Sequence, residues 1–281
     1  MGVTSRAGEV ARFSPRHLAF VIPLILLHIA CLAVFWVGAS PLAVTVFAAT
    51  TFVQVFGITA GFHRLLAHRA YRTSRPFQFV MALFGVLAGQ NGPLWWVAHH
   101  RHHHSYADRN GDTHSPRDGL FWSHMGWLFS ERTIPLRRDL VRDLARQPEM
   151  LLLERHYYLV TLGYAGLLFA FGGWQLVVWG SVLSTVFTYH AIWSANSVCH
   201  RFGSRRFPTN DDSRNNFFVA LVTLGDGWHH NHHFSPYSAR HGFRWWEIDI
   251  NYAVLRVLAA LGLVWDLKMP PERVFSAAPA E

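Results

Sequence analysis

Three imidazoles at i, i+3 and i+4 share one face of a helix, and His100, His103 and His104 have that spacing. His229, His232 and His233 repeat the same HxxHH pattern near the end of the 281-residue chain. His63 and His68 form an HxxxxH pair, and Asn196 and His200 stand four residues apart. Neutral imidazole is the commonest protein ligand for transition metals. One such cluster would be weak evidence, but two of them with the two flanking pairs make a strong signal for metal. An expression tag is a poor reading of residues 99–104. That run is internal, is broken by Arg101, and follows the apolar stretch Trp95-Trp96-Val97-Ala98.

Nine imidazoles exceed what one ion needs, since a structural zinc takes four protein ligands and a catalytic zinc typically three. They divide naturally between two metals, with each HxxHH triad expected to converge on one point. A nitrogen-rich, carboxylate-poor pair with open positions suits iron that activates O2. His99, His102 and His230 lie inside the clusters but off the ligating face and are expected to point away. His28 and His190 sit within apolar runs and read as packed or hydrogen-bonded residues. Metal-bound histidines usually donate their second N–H to a carboxylate, which makes Asp108, Asp112 and Asp226 candidates for that role. The five-residue spacing of His63 and His68 separates them around an α-helix. The chain there is expected to bend, or the two to approach from different angles.

The elements that carry these residues are apolar. No Asp, Glu, Lys or Arg occurs from His17 to His63 or from His156 to His200. Each run of about 45 residues has room for two membrane helices of about 20 residues. Ala39-Ser40-Pro41 and Gly172-Gly173 supply the turns, so each run reads as a helical hairpin. The expected fold is an all-α integral membrane protein: four transmembrane helices in two hairpins, with a histidine-rich cytoplasmic cap over residues 201–281. The whole chain, 1–281, is expected as one domain, with residues 1–16 reading as a basic arm rather than a cleaved signal. Neither turn carries Lys or Arg, whereas Arg6, Arg12, Arg16, Arg64, Arg69, Arg72, Arg75, Arg155 and Arg201 flank the runs. The positive-inside rule then places both termini and every histidine cluster on the cytoplasmic side.

The stretch from Pro76 to Ala98 is expected as an interfacial or re-entrant element and Glu131–Glu154 as a surface helix pair. Tyr252–Trp265 reads as an amphipathic surface helix. The formal charge of +8 suits anionic headgroups or an acidic partner. It comes with no nucleic-acid recognition motif, which excludes that class. Cys31 and Cys199 form neither a disulfide framework nor a CxxC site.

At this point the chain resembles the membrane-bound fatty acyl desaturases of the stearoyl-CoA, or delta-9, type. Gly57 to Arg64 with His68, and His100-Arg101-x-His103-His104, carry the resemblance. So do Asp112-x-His114, Ser123-His124-Met125-Gly126-Trp127, Asn196-Ser197-x-x-His200 and Gly225 to His233. The resemblance implies two iron ions held by His63, His68, His100, His103, His104, His200, His229, His232 and His233, with Asn196 meeting one iron through water. It implies removal of two hydrogens from adjacent methylenes of a long-chain acyl thioester, acyl-CoA first, with O2 as co-substrate. The implied setting is lipid biosynthesis among membrane lipid, and the excess of arginine over lysine points to a bacterial inner membrane. Electrons would come from an external ferredoxin, rubredoxin or cytochrome b5-like protein and its reductase. A bent tunnel is expected along Phe47, Thr50 and Thr51 of helix two, with Gln90, Asn91, Trp96 and Trp193.

Two departures bear on the carrier. Where family members acting on CoA thioesters carry an Arg-Asp pair, this chain has Ala98 and His99. Where they carry a basic pair after Trp127, it has Glu131-Arg132. Acyl carrier protein or intact lipid therefore stands behind acyl-CoA. A lipid hydroxylase or decarboxylating enzyme would keep the same boxes. A metal transporter would need polar ligands at mid-bilayer, where these spans are nearly bare.

Overall fold

The computed structural model describes residues 15–130, 133 and 135–276. The basic arm and the Glu131-Arg132 pair lie outside these residues, apart from the backbone of positions 15 and 16. Helix α1 (Pro15–Ala30) passes through a 3₁₀ turn at Cys31–Ala33 into α2 (Val34–Val37). Gly38 stops it at φ 66, a left-handed conformation that glycine adopts without strain. Ser40 then starts α3 (Pro41–Phe56): its Oγ accepts the Ala43 N–H at 3.2 Å, and Pro41 presets the first turn.

From Gly57 to Ala67 the same helix is wound wider, as a π-helix. Gly57 and Gly61 let the next helix come close, because a Cβ on Gly57 would stand 2.2 Å from the Phe84 carbonyl carbon. β1 (Arg72–Thr73) leads into α4 (Arg75–Leu87), capped by Ser74. Gly89 and Asn91 then turn the chain at positive φ into α5 (Pro93–Tyr106). The apolar stretch from Pro76 is thus divided between α4 and the start of α5 by this turn.

After α6 (Leu120–His124) the segment expected as a surface helix pair is instead a series of turns, with 3₁₀ pieces at Arg138–Leu140 and Leu144–Arg146. Its chain is anchored rather than coiled: Asp143 takes Arg101 and Arg69, and Val141 and Leu144 are buried. Helix α7 (Pro148–Val177) departs from helical geometry at Gly172 and Gly173, where the chain doubles back. A π-turn at Val178–Leu183 feeds α8 (Ser184–Ser197). Pro41–Ala67 and Pro148–His200 are long and apolar enough to cross a membrane. The two turns touch: Gln175 Nε2 donates to the Val37 carbonyl at 2.9 Å, and Trp179 Nε1 to that of Gly38 at 2.8 Å. Apolar side chains lie bare around this end, with Phe35 at 86% and Phe171 at 78% exposure.

The remaining chain wraps the opposite end through α9 (Phe217–Val222), α10 (His229–Phe234) and α11 (Ile250–Ala260). The amphipathic helix expected to Trp265 ends at Ala260, because Gly262 at φ 71 turns the chain into β2 (Val264–Trp265). β2 pairs antiparallel with β1, and α12 (Arg273–Ser276) follows. Among the described residues the regular structure is therefore helical but for one two-stranded ribbon and the isolated bridges of Asn215 with Ser204 and Trp228.

His28 and His190 are packed and hydrogen-bonded, and they join a chain that the sequence did not reveal. His28 Nε2 meets His190 Nε2 at 3.2 Å, His190 Nδ1 meets His124 Nε2 at 2.9 Å, and His124 Nδ1 meets Ser197 Oγ at 2.9 Å. This line ties α1 to α8 and α6.

Candidate metal centre

The ends of α5, α8, α10 and the π-helix meet, and nine imidazoles meet with them. His63, His68, His100, His104 and His232 form one group, and His103, His200, His229 and His233 a second. Within each group the available nitrogens lie within 4.8 Å of one another, so each could hold a metal ion. The rings of His104 and His233 stack at 4.6 Å between centroids, so the groups adjoin. Neither HxxHH triad converges on one point as expected. The i, i+4 pairs stay together, His100 with His104 and His229 with His233, while His103 and His232 each cross to the other group. Both α5 and α10 therefore stitch the two groups into one centre.

The His63–His68 spacing is resolved by the π winding. The His68 N–H donates to the His63 carbonyl, five residues back, at 3.1 Å, so residues five apart fall on successive turns. Their rings come to 4.9 Å. His99, His102 and His230 stand outside both groups. His99 Nδ1 bonds the Trp95 carbonyl, His102 stacks on Tyr106, and His230 is held by Ser213 Oγ and the Phe207 N–H.

Four carboxylates fix the tautomers. His63 Nδ1–H donates to Asp226 at 2.6 Å, His103 to Asp112 at 3.0 Å, His200 to Asp108 at 2.6 Å and His233 to Asp211 at 2.9 Å. Each bond leaves the Nε2 lone pair free for a metal. Asp211 was missed, since nothing in Thr209-Asn210-Asp211-Asp212 marks one loop acid over another. His241 was missed as well, and His114 was noticed only within the Asp112-x-His114 motif: they stand against Asp226 and Asp112 respectively, beside the ligating rings.

The nitrogens fit a cation and are otherwise unexplained. Nε2 atoms face each other at 2.7 Å between His68 and His100, 2.9 Å between His104 and His232, and 3.0 Å in the His63–His232 and His200–His229 pairs. Two nitrogens each about 2.1 Å from one ion and at right angles stand about 3 Å apart. His103 and His233 have buried Nε2 atoms without a hydrogen-bond partner. Burial, and then the charge of neighbouring imidazoles, holds His68, His100, His104, His229 and His232 well below the usual histidine range, hence neutral. Burial pushes His233 down to about 4 despite Asp211. Burial would also lower His103, but Asp112 outweighs it and raises the group.

Beside the centre lies a cavity of about 590 Å³. His100 and Asn196 line it, so it adjoins the histidine groups, and Gln90, Asn91, Trp96 and Trp193 line it too. Phe47, Thr50 and Thr51 do not. Phe47 packs edge-on to Trp179 and Phe187, Thr50 pairs with the Tyr164 hydroxyl, and Thr51 Oγ1 is buried without a partner. The reason is that α8 stands between α3 and the cavity: Gln54 of α3 bonds Thr185 and Thr188, and Thr185 is a wall residue.

The family model described as fatty acid desaturase matches residues 39–266. The chain belongs to the fatty acid desaturase family. It is 41% identical to an acyl-CoA 5-desaturase of Anemone leveillei over 252 residues, 88% of this chain and 78% of that one. It is likewise 41% identical to an sn-1 stearoyl-lipid 9-desaturase of Synechocystis sp., over 77% of this chain and 68% of that one. To an sn-2 palmitoyl-lipid 9-desaturase of Nostoc sp. (strain 36) it is 38% identical, over 86% and 87%. In this desaturase Ala98 and His99, which stand in place of the Arg-Asp pair, are both buried.

Proposed function

We propose that the protein is an O2-dependent, two-iron desaturase that places a cis double bond at position 9 of a long-chain acyl group. The observation that carries this reading is the pair of imidazole groups, with carboxylate-set tautomers, at the end of an apolar cavity. In the net reaction –CH2–CH2– becomes –CH=CH–, while O2, two electrons and two protons are consumed and two waters form. Bound iron supplies the O2 reduction and hydrogen abstraction that no side chain here can perform. The chain's own residues position: the cavity wall orients the acyl chain past His100 and Asn196, which is catalysis by alignment. Asn196 meets the centre through water.

Four membrane helices in two hairpins fit the two doubled-back apolar runs, whose touching turns carry no charge. Both termini and the histidine end then face the cytoplasm of a bacterial inner membrane. An external redox protein and its reductase supply the electrons. Incubating the iron-loaded protein with a reductase system and long-chain acyl substrates, and mapping products by mass spectrometry, tests the reading. Hydroxylated product in place of alkene would move the protein to a sister activity.

A further inference from the structure

We propose that the acyl cavity opens sideways into the bilayer between α1 and α7, and that a membrane glycerolipid delivers its acyl chain through this mouth. The proposal rests on the desaturase reading and names the carrier. Among the described residues that line the cavity, three are exposed: Pro23 of α1, and Tyr158 and Leu162 of α7, at 46% and 65% for the last two. Nearer the histidines the wall is less bare: His99, His114, Trp127 and Leu128 are buried, and His100 and Asn196 are half-buried. The exposed part of the wall therefore lies on the apolar runs.

Chemistry at the mouth selects the occupant. Pro23, Tyr158 and Leu162 all fall within the two runs that hold no Asp, Glu, Lys or Arg. No such residue lines the cavity among the described ones either. A soluble thioester carrier entering here would have to bring its phosphates against hydrocarbon, which is costly. A glycerolipid brings a chain that is already in hydrocarbon, and its headgroup stays at the interface. Exposed Arg155, just outside the apolar run, can meet a headgroup phosphate at that interface.

Length agrees with a fatty chain. Wall residues on the fourth apolar segment run from Ser181 to Asn196, about 22 Å at 1.5 Å per residue. The α1 side of the mouth is held in place, because His28 lies one turn from Leu24 and is tied to His190.

The test uses the full chain in lipid vesicles that contain phosphatidylglycerol with a diazirine near the methyl end of one long acyl chain. After irradiation, peptide mass spectrometry reads where the lipid was. Adducts on the interior wall residues Trp96 and Ile192 are expected. Leu162→Trp should cut those adducts several-fold while adducts on outward-facing Leu26 and Ile29 persist. Leu162→Ala, which only widens the mouth, should keep them. Adducts confined to outward-facing residues would overturn the proposal, as would interior adducts from a soluble diazirine acyl-CoA but none from the lipid. Because labelling needs no turnover, interior lipid adducts without any desaturation would uphold the mouth and remove the desaturase reading. Turnover of acyl-CoA without interior lipid adducts would do the reverse.

Discussion

The bond from His63 Nδ1 to Asp226 sets a tautomer and aims a lone pair in one contact, and Arg64 holds the carboxylate from behind at 2.7 Å. The same device recurs on His103, His200 and His233, so loss of one carboxylate should loosen the metal without removing a ligand. Asp211→Asn is expected to weaken iron binding about 10–100-fold, read by competition with a chelator. Unchanged affinity would make Asp211 a bystander. His232→Ala and His103→Ala should lose iron and activity together, because each ring crosses between the groups, whereas His102→Ala should keep its iron. Iron loss in His102→Ala would mean that the ligating face is misassigned. The nine histidines were legible because imidazole at helical spacing has few other uses. Their five-and-four division was not, since it depends on how α5 and α10 cross. Asp211 was invisible for a like reason: only the fold decides which loop acid reaches a ring.

At the scale of elements, the wide winding of Gly57–Ala67 is what brings His63 and His68 together, and it depends on close backbone packing. A methyl at Gly57 would meet the backbone of Phe84 and Gly85, which cannot give way as a side chain would. Gly57→Ala is expected to cost about 1–3 kcal/mol of stability by overpacking. Its iron content should fall as well. Gly163→Ala is the control, because a methyl there meets nothing within 4 Å and α7 gains a better helix former. Equal melting temperatures for the two variants would argue against packing as the cause of the winding. Both hairpins were legible from charge-free runs and turn residues. The π-helix was not, because local sequence does not announce a register imposed by α4. The tunnel wall was half legible: α8 and the α4–α5 turn were found. But Phe47, Thr50 and Thr51 of α3 do not line the cavity, since α3's polar side chains turn to its neighbours, Gln54 to α8 and Thr50 to Tyr164 of α7.

For the whole molecule, the gathering of neutral imidazoles makes the metal-free protein sensitive to acid. His68, His100, His104, His229 and His232 have folded values well below 6.5, the ordinary value they regain on unfolding. Below about pH 6.5 the unfolded chain therefore binds more protons, and stability falls as pH falls, by up to about 1.4 kcal/mol per pH unit for each group. His233 adds to this loss down to about pH 4. Metal-free protein should show a melting temperature that drops steeply from pH 7 to 5, and bound metal should blunt the drop by occupying the lone pairs. A flat profile for the metal-free form would contradict the burial of these rings.

The central claim, that the double histidine centre oxidises an acyl chain beside it, meets its most direct test in one mass spectrum. Iron-loaded protein in vesicles, given a reductase system and O2, should yield long-chain acyl groups lighter by two hydrogens, with the double bond at position 9. Acyl groups left unchanged by fully iron-loaded protein, or heavier by one oxygen, would contradict it.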